Sequence, residues 1–182
     1  MRLRRFLVIL ALALPLGMGG LETGPVPAGV QAAEPTNAGP RRGSGLPVPR
    51  FASVRSGEAN VRTGPGTRYP VDWVFKRKGM PVEIVAEFDN WRRIRDWQGA
   101  GGWVHQSLLT GKRGFVVTGK GADLFKTPAA SAELVARLEP EVMGEIRACA
   151  GDWCRVRIAA SGVTGWVERA HLWGVYRGET IN

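Results

Sequence analysis

Cys149 and Cys154 flank the short stretch Ala-Gly-Asp-Trp, and with His105 and His171 they are all the thiol and imidazole groups of a 182-residue chain. A thiolate beside an imidazole is the pair that cysteine peptidases use, and Cys154 with His171 is the pairing the chain offers, although such a nucleophile needs a base held by a third group. Cys149, Cys154, His105 and His171 together supply four zinc donors, but their spacing fits no common zinc pattern. The third use of the same sulfurs is a disulfide. Cys149 and Cys154 fall on the two sides of an expected hairpin tip, where Cα atoms come within bonding reach, and two cysteines of an exported chain ordinarily pair. The Cys149–Cys154 disulfide is the main reading, with no catalytic residue, no metal site and no cofactor assigned.

"ANVRTGPGTRYP", residues 59–70, is the other candidate. Gly-rich loops cradle phosphates when backbone amides ring them and a lysine reaches in, which requires Gly-x-x-x-x-Gly-Lys before Ser or Thr. Gly64 and Gly66 are too close together for that, and no lysine or apolar helix follows. The glycines and Pro65 read instead as a turn, with the glycines supplying backbone angles closed to other residues. Arg62, Arg68 and Tyr69 are left as contact candidates, since loops on small barrels carry binding.

Glycosidic cleavage needs two carboxylates facing each other across a groove. Asp72, Glu83, Glu87, Asp89 and Asp96 form no recognisable pair of that kind and read as solvated faces and turn caps. Seven tryptophans are many for this length. Trp91, Trp103, Trp153 and Trp166 recur between two halves of the chain, which points to core. Trp97 precedes a loop tip, Gln-Gly-Ala-Gly-Gly, where an exposed ring would stack on a sugar or a partner, while Trp73 and Trp173 suit core or interdomain packing.

The elements that position these groups begin after an N-terminal leader. Arg2, Arg4 and Arg5 precede an apolar run from Phe6 to Leu16, too short to cross a bilayer, which takes roughly 20 residues. Val-Gln-Ala at 30–32 has the compact residues of a cleavage site. Residues 1–32 are thus expected to be a signal peptide cleaved after Ala32 or one residue later; retention as an N-terminal anchor is the alternative. From a formal +9, loss of three arginines and Glu22 leaves +7. An exported chain so basic meets cell-surface polymers, anionic headgroups or acidic proteins rather than intracellular nucleic acid. Residues 33–50, rich in proline and glycine with little to bury, read as a flexible linker.

From Phe51 on, short apolar runs alternate with turns. Val82, Ile84, Ala86 and Phe88 stand at a period of two, with Glu83 and Glu87 on the other face, which predicts a half-buried strand. Residues 128–140 carry a helical period, but an internal comparison overrules it. Gly102, Trp103, Val104, Leu109 and Gly111 recur as Gly165, Trp166, Val167, Leu172 and Gly174 at an offset of 63, and "DNWRRIR" (89–95) recurs as "GDWCRVR" (151–157) at 62. Two copies in one order are a tandem duplication. The helical-looking stretch then aligns with "TRYPVDWVFKRKG", so Leu134–Leu138 is expected as strand. Each copy, about sixty residues with five or so short strands, suits a small barrel. Copies that small are marginal alone, so the two are expected to pack together.

A copy that opens "NVRTGPG" (60–66) and closes "GWVHQSLL" (102–109), with "NW" (90–91) between, resembles the bacterial SH3-like domain. The second copy matches through "GDWCRV" (151–156) and "GWVERAHL" (165–172). The resemblance covers about residues 51–174 and implies an all-β chain of two tandem SH3-like barrels, at 51–111 and 112–174, followed by a tail at 175–182. It also implies a non-catalytic module at the bacterial cell surface. Joined to the leader, that gives a periplasmic or extracellular protein, with no transmembrane segment in the mature chain, that binds a cell-wall polymer, or else an envelope protein. Arg62, Arg68, Tyr69 and Trp97 are the contact candidates, and a cell-wall cysteine peptidase is the weaker alternative.

Overall fold

The computed structural model describes residues 43–182. The expected signal segment at 1–32 and the linker residues 33–42 lie outside the described residues. The first half forms β1 (Arg50–Val54), β2 (Ala59–Arg62), β3 (Val71–Phe75), β4 (Pro81–Phe88), β5 (Trp91–Arg95), β6 (Gly101–His105) and the two-residue β7 (Leu109–Thr110). The second forms β8 (Gly114–Val117), β9 (Ala122–Phe125), β10 (Leu134–Leu138), β11 (Met143–Ala150), β12 (Trp153–Ile158), β13 (Thr164–Glu168) and β14 (Leu172–Trp173). The hydrogen-bonded order is β3-β2-β6-β5-β4-β1-β7 in one sheet and β10-β9-β13-β12-β11-β8-β14 in the other. Each strand of the second sheet takes the place of the strand seven earlier, so the duplication holds in topology as well as in sequence. Leu134–Leu138 is a strand, paired antiparallel with β9, despite its helical period.

Because side chains alternate along a strand, each sheet lines its own core with every second residue. Val54, Val61, Ile84, Ile94, Val104 and Leu109 fill the first; Val117, Leu124, Ile146, Val156, Val167 and Leu172 fill the second at the equivalent places. One cross-strand pair exchanges its volumes. Ala52 faces Val82 in the first barrel, whereas Phe115 faces Gly144 in the second. A Cβ on Gly144 would lie 2.6 Å from the Phe115 ring and 2.1 Å from the Arg157 carbonyl oxygen. The large ring and the missing side chain are therefore one packing solution.

The expected half-burial of β4 fails at Glu83, which is 5% exposed. Its face is covered by the other barrel. The Tyr176 hydroxyl donates to Glu83 Oε1 at 2.8 Å, and Arg95 Nε donates to Oε2 at 3.0 Å. Burial, then the bond to Glu83, pushes the Tyr176 phenol well above its ordinary value. Beside it Phe51 meets Trp173 edge-on at 4.9 Å and Tyr176 at 4.6 Å between ring centroids. The Gly114 amide donates to Ser53 Oγ at 2.8 Å, and Met143 of the second barrel packs on the core of the first.

Both ends of the described chain are tied down. Gly43–Arg50 was expected to be linker, yet Arg50 opens β1, and Ser44 donates through its amide and its hydroxyl to the Glu87 carboxylate. The tail after 174 is likewise part of the second barrel. Val175 lies in its core, and Ile181 and Cys149 exchange backbone bonds of 2.8 and 3.1 Å. Glu179 receives both Arg113 Nη groups at 2.6 and 2.9 Å. Those bonds, against some burial, hold its carboxyl below the ordinary value of 4.5.

Phe115→Ala should cost about 3–5 kcal/mol in denaturant unfolding. Adding Gly144→Val should recover only part of that, since the new side chain also meets the Arg157 carbonyl; full recovery would refute the coupled-packing account. Glu179 carries a lowered folded pKa, so its contribution to stability is complete above 4.5 and disappears as pH falls through the lower folded value. Thermal melts in acid should therefore show a shallower decline for Glu179→Gln than for the parent, with Glu87, also lowered, supplying part of the remaining slope.

Candidate functional site

The loop at 63–70 closes by three backbone bonds: Thr63 N to Pro70 O, Gly66 N to Gly64 O, and Tyr69 N to Gly66 O. Lys126 N to Glu133 O, Ala129 N to Thr127 O, and Ala132 N to Ala129 O repeat all three in the second copy. Thr127 and Ala129 make the same turn, so glycine is not required for its angles. Neither Gly64 nor Gly66 has a positive φ, which corrects the expectation from the sequence. Gly64 answers a close approach instead, because a Cβ there would lie 2.5 Å from the Tyr69 ring. Where Ala132 replaces that ring, Thr127 is accommodated.

Arg62 turns back over this loop, donating through Nη1 to Tyr69 O at 2.7 Å and to Thr67 O at 3.2 Å. The Arg68 guanidinium lies 5.2 Å from the Tyr69 ring centroid. Alternation in β2 sends Val61 inward and leaves Asn60 and Arg62 outward; in β6 it sends Val104 inward, with Trp103 and His105 outward. In β5 Ile94 is inward, with Trp91 and Arg93 on the outer face. Register places Arg62 opposite Trp103, Trp103 opposite Arg93, and His105 opposite Trp91. Trp91 and His105 meet edge-on at 5.4 Å. The result is a groove of about 310 Å³ lined by Asn60, Arg62, Thr67, Trp91, His105 and Leu108.

Such a groove offers ring faces for sugar or peptide, a guanidinium for a carboxylate, and His105, whose Nδ1 lies 2.7 Å from Ser107 Oγ. Arg62 therefore lines this groove, with Arg68 and Tyr69 on the adjoining loop. Trp97 is not with them: it is half-buried and packs against the first core. Trp91, Trp103, Trp153 and Trp166, expected in the core because they recur, are half-exposed on outward strand positions. The period of two within "WRRIR" and "GGWVH" is the signal that locates Trp91, Trp103 and His105. In the second barrel the same positions hold Asp123, Phe125, Trp153, Trp166 and Glu168, so the cationic and imidazole groups give way to acids and a phenyl ring.

Cys149 and Cys154 form a disulfide across the β11–β12 ladder, where they are direct partners. Their counterparts are Glu87 and Arg92, partners in β4–β5, with Arg92 Nε 3.0 Å from Glu87 Oε1. Arg92 is 4% exposed and also donates to Asp89 O and Gln106 Oε1. Burial pushes the Glu87 carboxyl up, but hydrogen bonds from Arg50 and Ser44 outweigh it and leave the group below its ordinary value. Both sulfurs are thus engaged, and His171 faces Glu168 at 3.9 Å. Among the described residues no cluster of metal-binding side chains occurs. Asp96 is a turn cap, accepting from Gln98 N and Ala100 N. Glu83 and Glu87, expected on a solvated face, are buried ion-pair partners.

The family described as Bacterial SH3 domain matches residues 55–111 and again 118–174. No curated protein matches the chain. Solved structures similar to it include NlpC1 from Trichomonas vaginalis, 11% identical over 71% of this chain and 47% of that one, with a TM-score of 0.32. NlpC2 of the same organism is 10% identical over 70% and 49%, with a TM-score of 0.31. An NlpC/P60 family protein from Bacillus cereus is 14% identical over 70% and 57%, also at 0.31. The chain spans about half the length of these structures.

Arg92→Ala leaves Glu87 with Arg50 and Ser44 but takes the donor from Asp89 O and Gln106 Oε1, so it should cost about 1–3 kcal/mol in denaturant unfolding. Glu87→Cys with Arg92→Cys should form a second disulfide and recover stability only when oxidised, as read by thiol titration and melts with and without reductant. Two persistent thiols in that variant would show that the two ladders are not interchangeable.

Proposed function

Because the chain belongs to the bacterial SH3 domain family, we propose that it is an exported, non-catalytic envelope protein whose first barrel binds peptidoglycan. The observation that carries this reading is the outward face on which Arg62, Trp91 and His105 line one groove. Aromatic rings at such a groove stack on sugar or pack on peptide, and the guanidinium pairs with the stem-peptide carboxylates. Export is supported by the disulfide, which persists in oxidising compartments, and by the basic, apolar leader. A non-catalytic role is supported by the sulfurs, since a thiolate nucleophile would first need the Cys149–Cys154 bond reduced.

An envelope protein as partner is the second reading. It is favoured by Val71, Leu134 and Val135, which are exposed on β3 and β10, the strands that end the two hydrogen-bonded orders. An end strand presenting apolar side chains is a surface on which another chain docks.

Co-sedimentation of the purified protein with peptidoglycan should show retention that weakens as salt is raised. Arg62→Ala with Trp91→Ala should reduce it about tenfold or more, with the melting curve of each variant as the control for folding. No retention at low salt would sink the peptidoglycan reading and leave the envelope-protein one.

A further inference from the structure

A second cavity, of about 450 Å³, lies where the two barrels meet. Its floor is made of closely approaching backbone. Ser53 Oγ accepts the Gly114 amide, and a Cβ on Gly114 would lie 2.3 Å from the Gly79 carbonyl oxygen. Around the rim stand Arg55, Lys78, Lys112, Arg113 and Arg157, against the single carboxylate Glu145. That carboxylate is already paired, with Arg147 at 2.9 Å, and Arg113 is engaged by Glu179. Arg55 donates Nε and Nη2 to Leu109 O, which anchors the guanidinium without neutralising it. The side chains of Lys78, Lys112 and Arg157 make no hydrogen bond or ion pair among the described residues. Four cations thus surround one recess with no unpaired acid among its lining residues.

The duplicated scaffold accounts for Arg157 alone, the counterpart of Arg95. At the offset of 63, Arg55, Lys78 and Lys112 correspond to Thr118, Glu141 and Val175. Arg55 follows β1, Lys78 sits in the β3–β4 turn and Lys112 in the β7–β8 connection, and the packing of the second barrel on the first brings Arg157 of β12 to them. We infer that this inter-barrel groove binds a segment of an anionic polymer, its phosphate or carboxylate groups held by Arg55, Lys78, Lys112 and Arg157. The site is separate from the Arg62 groove and does not rest on the peptidoglycan reading. A recess of this size takes a few monomer units. A bilayer surface fits less well, because none of the exposed large apolar side chains (Leu46, Val48, Val71, Leu134, Val135 and Val163) lines the groove.

The test titrates the full-length mature protein with inorganic polyphosphate, with oligogalacturonate, and with vesicles of phosphatidylglycerol in phosphatidylcholine. At least one of the two soluble chains should bind, and the one preferred identifies phosphate or carboxylate as the source. Affinity should fall as salt screens the exposed charges. Lys78→Glu, Lys112→Glu and Arg157→Glu combined should weaken binding about tenfold or more, while Lys78→Arg and Arg137→Glu, a reversal at an exposed position outside the groove, leave it unchanged. Should the triple variant fail to fold, the single reversals at the exposed Lys78 and Lys112 should each weaken binding. Binding to neither chain, binding to vesicles alone, or undiminished binding by the folded reversal variants would overturn the proposal.

Discussion

Phe51 lies between Trp173 and Tyr176, and the phenol of Tyr176 reaches Glu83 on the neighbouring strand. A barrel of about sixty residues buries too small a share of its surface to be secure alone, and this junction adds apolar contact that neither barrel has by itself. The rest of the arrangement depends on it. Glu83 can be buried only because Arg95 and Tyr176 satisfy its oxygens, since an uncompensated carboxylate in that position would be costly. Tyr176 is held there by the tail, whose Glu179 is gripped by Arg113. Residues past the second family match therefore complete the surface on which the first barrel rests.

Each barrel must also secure the long hairpin that carries its central strands, and the two copies do so differently at one pair of positions. Glu87 and Arg92 form a buried ion pair that also receives the entering segment through Ser44 and Arg50. Cys149 and Cys154 form a covalent link, with the departing segment added as backbone bonds to Ile181. A buried ion pair gains little over well-packed apolar residues, and a disulfide closing so short a loop contributes about 2 kcal/mol on the entropy model. The ion pair in exchange offers oxygen acceptors for a chain arriving from outside the barrel, which a disulfide does not.

The fold was legible because duplication averages two readings of one structure. Residues 128–140 look helical alone, and only their alignment with "TRYPVDWVFKRKG" in the first copy marks Leu134–Leu138 as strand. The disulfide was legible for the related reason that its positions face each other across a hairpin. What stayed hidden was burial imposed from a distance. No local period reports that a second barrel covers Glu83, or that the Trp97 ring folds back onto the core while the recurring tryptophans stay half-exposed. Recurrence marks a position that the fold constrains, and an outward strand position between two others is constrained without being core. The inter-barrel cations were hidden for a related reason, being far apart in sequence, with Arg157 added only by docking.

The two copies share the backbone bonds of their first loops yet present opposite chemistry beside them. Asn60, Arg62 and His105 in one correspond to Asp123, Phe125 and Glu168 in the other. A duplicated binding face with its character retained would make a bivalent receptor for one ligand. Here the second face has a phenyl ring in place of the arginine and carries two added carboxylates, so it would repel an anion that the first face is proposed to hold, and discrimination of that kind is built from the repulsive element as much as from the attractive one. The second barrel has lost the arginine and gained the disulfide and the docked tail. Its retained surface faces the first barrel, where it supplies Arg113, Trp173 and Tyr176 to the junction and Arg157 to the basic groove. The pair is therefore better understood as one asymmetric body than as two repeats on a string.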